Sequence, residues 1–361
     1  MLLVGKLKRD KHLTHFSYNM DFLTDIIKEV GNDYTRLASD IDEKETFVDT
    51  GSHIFNALCS GSIFGGISSS RITAIAGESS TGKTFFSLSC VKTFLENNPD
   101  GYVCYFDSED AIKKEQLVER GIDLNRFVLF NIVTVEEFRQ KTLKAVDIYL
   151  KTPIEARKPC MFVLDSLGML STNKEIEDTL AEKTTRDMTK AQLIKGAFRM
   201  LTLKLGQANI PLIVTNHTYD VIGSYIPTKE MGGGSGLKYA ASTIIYLTKS
   251  KEKEGKETIG NIVKATAHKS RLTKENKRVE IRLFYDERGL DKYYGLLELG
   301  EKYNVFKRVG NRYKFGDSNL YPKTIMASPE TYFTDEILQK LDTAAKQEYC
   351  YGVESDDGQI D

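Results

Sequence analysis

Short apolar runs alternate with helical patterns through the middle of the chain. The runs typical of buried strands are RITAIA (71–76), GYVCYFD (101–107), KPCMFVLD (158–165), IPLIVTNH (210–217), ASTIIYLTK (241–249) and NIVKATAHK (261–269). Residues 85–97 and 186–205 carry apolar side chains at helical spacing, and TVEEF (134–138) begins another helix with a capping box. Because continuous apolar strands separated by helices are typical of parallel sheets, we predict an α/β domain with helices on both faces of a mostly parallel sheet.

The pattern changes at both ends of this domain. Residues 20–30 place apolar side chains on one helical face, which can pack on its own domain or dock on a neighbouring subunit. From about Asp291, a helix, a hairpin-like segment and a second helix over 328–349 predict a small α+β unit. The predicted parts are an N-terminal helical arm used for oligomerisation (1–45), a main α/β core (46–290), a small α+β C-terminal domain (291–352) and an acidic tail (353–361).

Charge is informative only locally. The net charge is −1, but residues 249–278 hold ten Lys or Arg against four Asp or Glu. The tail VESDDGQID carries four acids and no base, so it is either a solvated end or a competitor of an anionic polymer for basic surface. Five cysteines without metal-type spacing predict a protein of a reducing cytoplasm. No apolar run approaches the ~20 residues of a membrane span.

The segment GESSTGKT matches the phosphate-binding pattern G-x-x-x-x-G-K-[ST] and lies between an apolar strand and a helix. Its residues are Gly77, Glu78, Ser79, Ser80, Thr81, Gly82, Lys83 and Thr84. Backbone N–H groups and the helix dipole would hold the phosphates, Lys83 would neutralise the β and γ oxygens, and the Thr84 hydroxyl would ligate Mg²⁺. The alternative is a glycine turn with a solvated lysine.

Polar side chains at three other strand ends are candidates for the chemistry. Asp165 ends an apolar strand, where a carboxylate can hold a metal ion, although a strand-end cap is the alternative. In YFDSED, Glu109 is the candidate for orienting water because Asp107 lies closer to the strand body; a solvated acidic turn is the alternative. His217 closes the strand IPLIVTNH and has either a structural or a γ-phosphate-sensing role.

Two polar segments, 171–185 and the glycine-rich 218–238, follow strand ends and are predicted to be irregular, mobile loops. Strand ends of a nucleotide-binding sheet share one edge, so these segments predict a polymer track beside the ATP site. The alternative is two ordinary surface loops.

The motifs GESSTGKT, YFDSED, FVLDSLGML, VTNHT, MGGGSGLKYAAS and HKSR, in this order, resemble those of the RecA-type strand-exchange recombinases. NHTY, MGGG and KSR are also similar to patterns in the members from T-even-like bacteriophages. If the protein comes from such a phage, the resemblance implies the cytoplasm of the host cell. The resemblance runs from about Thr50 to Leu297 and implies a RecA-like P-loop ATPase core that uses ATP and Mg²⁺.

The resemblance also implies roles for individual residues. Those with catalytic roles are Lys83, Glu109, Asp165 (with Thr84 at the metal), the γ-phosphate sensor His217, and Lys269 and Arg271, which would reach a neighbouring subunit's ATP. Those at DNA-binding positions are Arg199, Gly232, Gly233, Gly234 and Lys238, with Tyr239 coupling ATP to DNA binding. Gln116 stands where the family has an adenine-stacking tyrosine, which is a departure.

These features predict a DNA-dependent ATPase that forms filaments on single-stranded DNA and catalyses homologous pairing and strand exchange. The implied partners are single- and double-stranded DNA, further copies of the chain, a recombination mediator and a single-strand-binding protein. Two alternatives are a hexameric helicase with a RecA fold and an ATP-gated DNA-binding scaffold without appreciable turnover.

Overall fold

The computed structural model describes residues 22–31, 35, 37–40, 45–183, 189–220, 229–286 and 288–353. It divides into two compact units, with the boundary between Glu45 and Thr46. In the first unit, residues 22–30 form helix α1, and Phe22, Leu23 and Ile26 are exposed. The predicted helix in the arm is therefore present, while residues 1–21 and the acidic tail beyond residue 353 lie outside the described residues.

The second unit is built on one large sheet. The strands are β1 (Phe47–Val48), β2 (Ile67–Ser68), β3 (Ile72–Gly77), β4 (Tyr102–Asp107), β5 (Phe127–Asn131), β6 (Cys160–Asp165), β7 (Leu212–Asp220), β8 (Lys229–Met231), β9 (Thr243–Glu254), β10 (Glu257–Ser270), β11 (Arg278–Phe284), β12 (Lys307–Val309), β13 (Arg312–Phe315) and β14 (Ser318–Leu320). The large sheet has the order β11-β10-β9-β3-β7-β6-β4-β5, with β8 paired to the far end of β7. The six strands from β9 to β5 are parallel, and β10 and β11 extend the sheet antiparallel, so the predicted mostly parallel sheet is confirmed.

Helices cover both faces of this sheet. They are α2 (His53–Ser60), α3 (Lys83–Asn97), α4 (Lys114–Glu119), α5 (Val135–Lys151), α6 (Asn173–Leu180), α7 (Lys190–Ala208), α8 (Ser235–Ala240), α9 (Leu296–Lys302), α10 (Pro322–Ala327), α11 (Pro329–Tyr332) and α12 (Asp335–Tyr349). Helices α5 and α7 bury Phe138 and Phe198 against one face, and α2 and α3 bury Phe55 and Phe86 against the other. Among these described helices, none is long and apolar enough to cross a membrane.

The C-terminal segment shares the core of the α2 and α3 face. Leu299, Phe306 and Leu341 belong to the same buried cluster as Phe86. The predicted hairpin is present as β12 and β13, joined by β14 into a small antiparallel sheet. The helix predicted over 328–349 is two helices, because the chain leaves the helical conformation at Phe333, whose buried ring packs on the ring of Tyr293.

The two segments predicted as irregular loops contain regular structure, which corrects that prediction. In 171–185, α6 forms because the Thr172 hydroxyl accepts a hydrogen bond from the Glu175 N–H and caps the helix. In 218–238, the strand β7 continues to Asp220, pairs with β8 as a hairpin, and is followed by α8. Polarity indicated exposure here, but it did not exclude capped helices or paired strands.

Candidate nucleotide-binding site

The phosphate loop joins the buried strand β3 to the N-terminus of α3. Gly82 is the N-cap residue of α3 and has φ 93°, a left-handed backbone conformation that glycine adopts without strain. A Cβ on Gly77 would lie 2.8 Å from the carbonyl oxygen of Leu247 on β9, so the loop requires glycine there. The Lys83 ammonium donates to the carbonyl oxygens of Gly77 (3.1 Å) and Glu78 (2.9 Å), which folds it over the loop. The arrangement is a cradle for an anion.

Two carboxylates face the ammonium group of Lys83. Burial lowers the pKa of Lys83, and the charges of Glu109 and Asp165 act in the opposite direction. Asp165 is buried at the end of β6, where its carboxylate accepts hydrogen bonds from the hydroxyls of Tyr105 (2.8 Å) and Thr215. These two hydroxyls fix the orientation of the carboxylate at the edge of the sheet.

The polar groups beside the loop suit magnesium held mainly by phosphate and water. Within the described residues, no group of three His, Cys, Asp or Glu side chains could hold a metal ion on its own. The Thr84 hydroxyl and the Asp165 carboxylate are hard oxygen donors, and magnesium in nucleotide sites is bound by one or two such donors plus phosphates. The donor set therefore fits Mg²⁺ that arrives with a nucleotide.

The structure separates the two acids of YFDSED by their partners. The buried Asp107 carboxylate accepts hydrogen bonds from the backbone N–H groups of Glu109 (2.9 Å) and Ile112 (3.1 Å), so it braces the turn. The Glu109 carboxylate is partly exposed, accepts a hydrogen bond from the Ser166 hydroxyl (2.6 Å) and lies 3.3 Å from the Nε2 atom of His217. Glu109 is thus the acid that water at the site can reach.

His217 connects this site to the glycine-rich segment. Its backbone carbonyl accepts a hydrogen bond from the Gly232 N–H (3.1 Å), and the Asn216 amide donates to the Gly232 carbonyl (2.9 Å). A second connection is the ion pair between Glu78 in the phosphate loop and Lys229 at the start of β8. The nucleotide site and the β7–β8 hairpin are therefore in direct contact within one chain.

Helix α8 carries the predicted DNA-coupling aromatic, Tyr239, whose side chain is 70% exposed. The Lys269 ammonium donates to three carbonyls at the end of this helix, those of Lys238 (2.7 Å), Tyr239 (3.3 Å) and Ala241 (2.8 Å). Lys269 therefore caps α8 of its own chain, whereas Arg271, which directly follows β10, is exposed. Their roles toward a neighbouring subunit stay predictions.

The other predicted DNA-binding residues surround α8. Gly233 and Gly234 have φ 83° and 74° immediately before α8, and Gly232 precedes them. Lys238 on α8 pairs with Glu230 (3.3 Å), and Arg199 is exposed on α7, which packs against α8. Three of these residues thus directly precede α8, Lys238 lies on it, and Arg199 lies on the helix that packs against it.

The hydroxyl groups that hold the carboxylates of the site in place were not predicted from the sequence. Tyr105 and Thr215, which orient Asp165, lie in apolar strands, and a polar hydroxyl inside such a run is the signal that could have indicated them. Ser166 directly follows Asp165, but its bond to Glu109 joins residues 57 apart and has no local signal. Gln116 lies exposed on α4, where its side chain accepts a hydrogen bond from the Lys113 N–H.

The fold and site define a P-loop nucleotide-binding protein with an α/β sheet that is parallel at its centre. A family model described as the RecA N-terminal domain matches residues 20–291, and the chain belongs to this family. The resemblance inferred from the motifs is thereby confirmed.

Several curated relatives are similar to this chain. It is 34% identical over 246 residues to the "Recombination and repair protein" of Enterobacteria phage T4, a match to 68% of this chain and 61% of that protein, which confirms the resemblance to the UvsX recombinases of such phages. It is 29% identical to "Protein RecA" of Paracoccus denitrificans, with 71% of this chain and 69% of that protein covered. For "Protein RecA" of Malacoplasma penetrans the identity is 25%, with coverages of 77% and 83%. The chain thus matches less than two thirds of the length of the phage relative.

Proposed function

We propose that this protein is a DNA-dependent ATPase that polymerises on single-stranded DNA and catalyses homologous pairing and strand exchange. It would act in recombination, repair and recombination-dependent replication. Membership of the RecA family supports this function over a ring-forming helicase or a scaffold without turnover. The names of the relatives, recombination and repair protein and RecA, point to the same process.

The observation that carries the proposal is the chain of contacts from the phosphate loop to the hairpin. In this mechanism Glu109 orients the attacking water, and Lys83 and Thr84 would hold the triphosphate and its magnesium. The metal would supply positive charge against the charge that develops on the phosphate oxygens. His217 lies 3.3 Å from Glu109 and holds Gly232 through its backbone carbonyl. A change at the γ-phosphate would therefore be transmitted to the glycine segment through one residue.

The proposed DNA surface consists of the glycine segment before α8, Lys238, Tyr239 and Arg199. Glycines allow close approach of backbone N–H groups to phosphates, lysine and arginine supply charge, and an exposed tyrosine supplies a stacking face. In this arrangement the groups contact mostly phosphates and the faces of stacked bases, so we expect binding without sequence preference and with strong salt dependence. Sequence matching is then left to pairing between the DNA strands.

In the filament, Lys269 and Arg271 would contact the ATP of the adjacent subunit, in the manner of an arginine finger supplied in trans. The Lys269 ammonium would then exchange three backbone carbonyls for phosphate oxygens. By analogy with the family, a single-strand-binding protein and a mediator that displaces it from the strand are further expected partners.

Strand exchange by the Lys83→Ala variant tests the proposal. The variant loses the ammonium that crosses the phosphate loop, so we expect no ATP-dependent exchange between a circular single strand and a homologous linear duplex. The exposed lysine in the pair Lys92–Glu96 on the same helix gives a matched control, Lys92→Ala, which should exchange strands normally. Full exchange by Lys83→Ala would contradict the assignment.

A further inference from the structure

A planar cation stacks on an aromatic ring beside the phosphate loop. The guanidinium carbon of Arg120 lies 4.4 Å from the centroid of the Phe85 ring. Phe85 follows Thr84 directly, in the first turn of α3, and Arg120 is the residue at which α4 ends. The pair therefore joins the helix that begins at the phosphates to the next helix along the chain.

A third segment of the chain packs against this pair. Gly289, in the turn after β11, is so close that a Cβ there would lie 3.6 Å from the Phe85 ring. Arg120 is half-buried, and within the described part of the chain its guanidinium makes no hydrogen bond or ion pair. The guanidinium lies over the Phe85 ring, and among the described residues its N–H donors have no acceptor.

Arg120 is also one helical turn from the position that departs from the family pattern. The Arg120 N–H donates to the Gln116 carbonyl (3.3 Å), so the two side chains leave the same face of α4. Gln116 has no ring with which to stack a base. An arginine guanidinium can take that role, because it is flat, weakly hydrated and stacks on aromatic faces and on nucleobases.

We propose that the Arg120 guanidinium, supported from behind by the Phe85 ring, is the stacking platform for the base of ATP in this chain. The order of layers is Phe85, Arg120 and base, and it moves the platform one helical turn from position 116. The inference rests on the proposed function, since it assumes that ATP occupies the phosphate loop. It makes Arg120 a specificity-determining residue that contacts the base and not the phosphates.

The test compares two ligands that share the phosphate loop. Calorimetry would measure binding of a non-hydrolysable ATP analogue and of inorganic tripolyphosphate, both with Mg²⁺, to the full chain and to Arg120→Leu, Arg120→Lys and Phe85→Leu. We expect Arg120→Leu to weaken binding of the ATP analogue about tenfold, and binding of tripolyphosphate less than about twofold. The affinity of Arg120→Lys for the ATP analogue should be closer to that of Arg120→Leu than to that of the unchanged protein, because lysine keeps the positive charge but has no planar group to stack on the base.

A second arginine and aromatic ring provide the control. Arg157 lies 5.8 Å from the Tyr149 ring centroid, close to where β6 begins and so at the opposite edge of the sheet from the phosphate loop. Arg157→Leu should bind both ligands as the unchanged protein does. Equal losses of both ligands in Arg120→Leu, or no loss of the ATP analogue, would overturn the base platform while leaving the ATPase proposal intact. If the unchanged protein bound neither ligand, the proposed function itself would fail, and this inference with it.

Discussion

Two carboxylates two residues apart, Asp107 and Glu109, should respond to the same chemical change in opposite ways. Each can be replaced by its amide, Asp107→Asn and Glu109→Gln, with almost no change of volume. Asp107 is 2% exposed and accepts two backbone hydrogen bonds, whereas the Glu109 side chain is 31% exposed and faces the nucleotide site. We therefore expect a loss of stability from the first variant and a loss of turnover from the second.

The structure sets the size of each effect. A hydrogen bond to a charged group contributes about 1.5–3 kcal/mol, and an amide at position 107 turns one of two acceptors into a donor that faces an N–H group. Asp107→Asn should then lose about 2–4 kcal/mol, which lowers Tm by about 4–10 °C. Glu109→Gln keeps an oxygen for the Ser166 hydroxyl, so its Tm should change little, while its ATP turnover falls about 100-fold or more.

Thermal unfolding by circular dichroism and DNA-stimulated phosphate release measure the two effects on the same samples. Nucleotide binding by Glu109→Gln should be retained, because the phosphate loop is untouched. An unchanged turnover in Glu109→Gln would remove Glu109 from its role. If Asp107→Asn kept its full Tm but lost turnover, the assignment of the two acids would have to be exchanged.

Two further predictions concern ammonium groups and their acceptors. Lys269→Met removes both the cap of α8 and the proposed contact with the neighbouring ATP, so it should weaken binding of single-stranded DNA about fivefold or more by anisotropy. Unchanged DNA binding would contradict both roles. Burial raises the pKa of Glu348, but hydrogen bonds from Lys277, Lys302 and Tyr303 outweigh it and hold this pKa at about 2. Because the pKa is depressed, this stabilisation is complete above about pH 4.5 and is lost as the pH falls toward 2. The Tm deficit of Glu348→Gln at pH 7 should thus disappear near pH 2, and a deficit independent of pH would contradict the ion pairs.

Local patterns predicted the parts of the fold that depend on neighbours in sequence. The phosphate loop, the apolar strands β3 and β6 and the amphipathic α7 were predictable because composition and spacing alone specify them. The edge strand β5 was not predicted, because a short apolar segment whose side chains are mostly exposed can equally be the start of a loop. Helix α6 was not predicted because it has too few apolar residues to show helical spacing, although Thr172 could have been recognised as a helix cap.

Contacts of the site between residues far apart in sequence could be found only from the structure. That Asp107 braces a turn and Glu109 does not depends on which way each carboxylate points from the same strand end. Lys269 was predicted to face a neighbouring subunit, but its ammonium also reaches α8, 31 residues earlier in the chain. Such contacts leave no periodic or compositional trace.

The central claim is that a triphosphate in the phosphate loop determines whether DNA is held. Anisotropy of a labelled single-stranded oligonucleotide, titrated with the full chain and Mg²⁺, tests it with a non-hydrolysable ATP analogue, with ADP and without nucleotide. We predict that affinity with the triphosphate exceeds affinity in the other two states by about tenfold or more, a coupling of the usual size between two sites. Equal affinity in all three states would contradict the account.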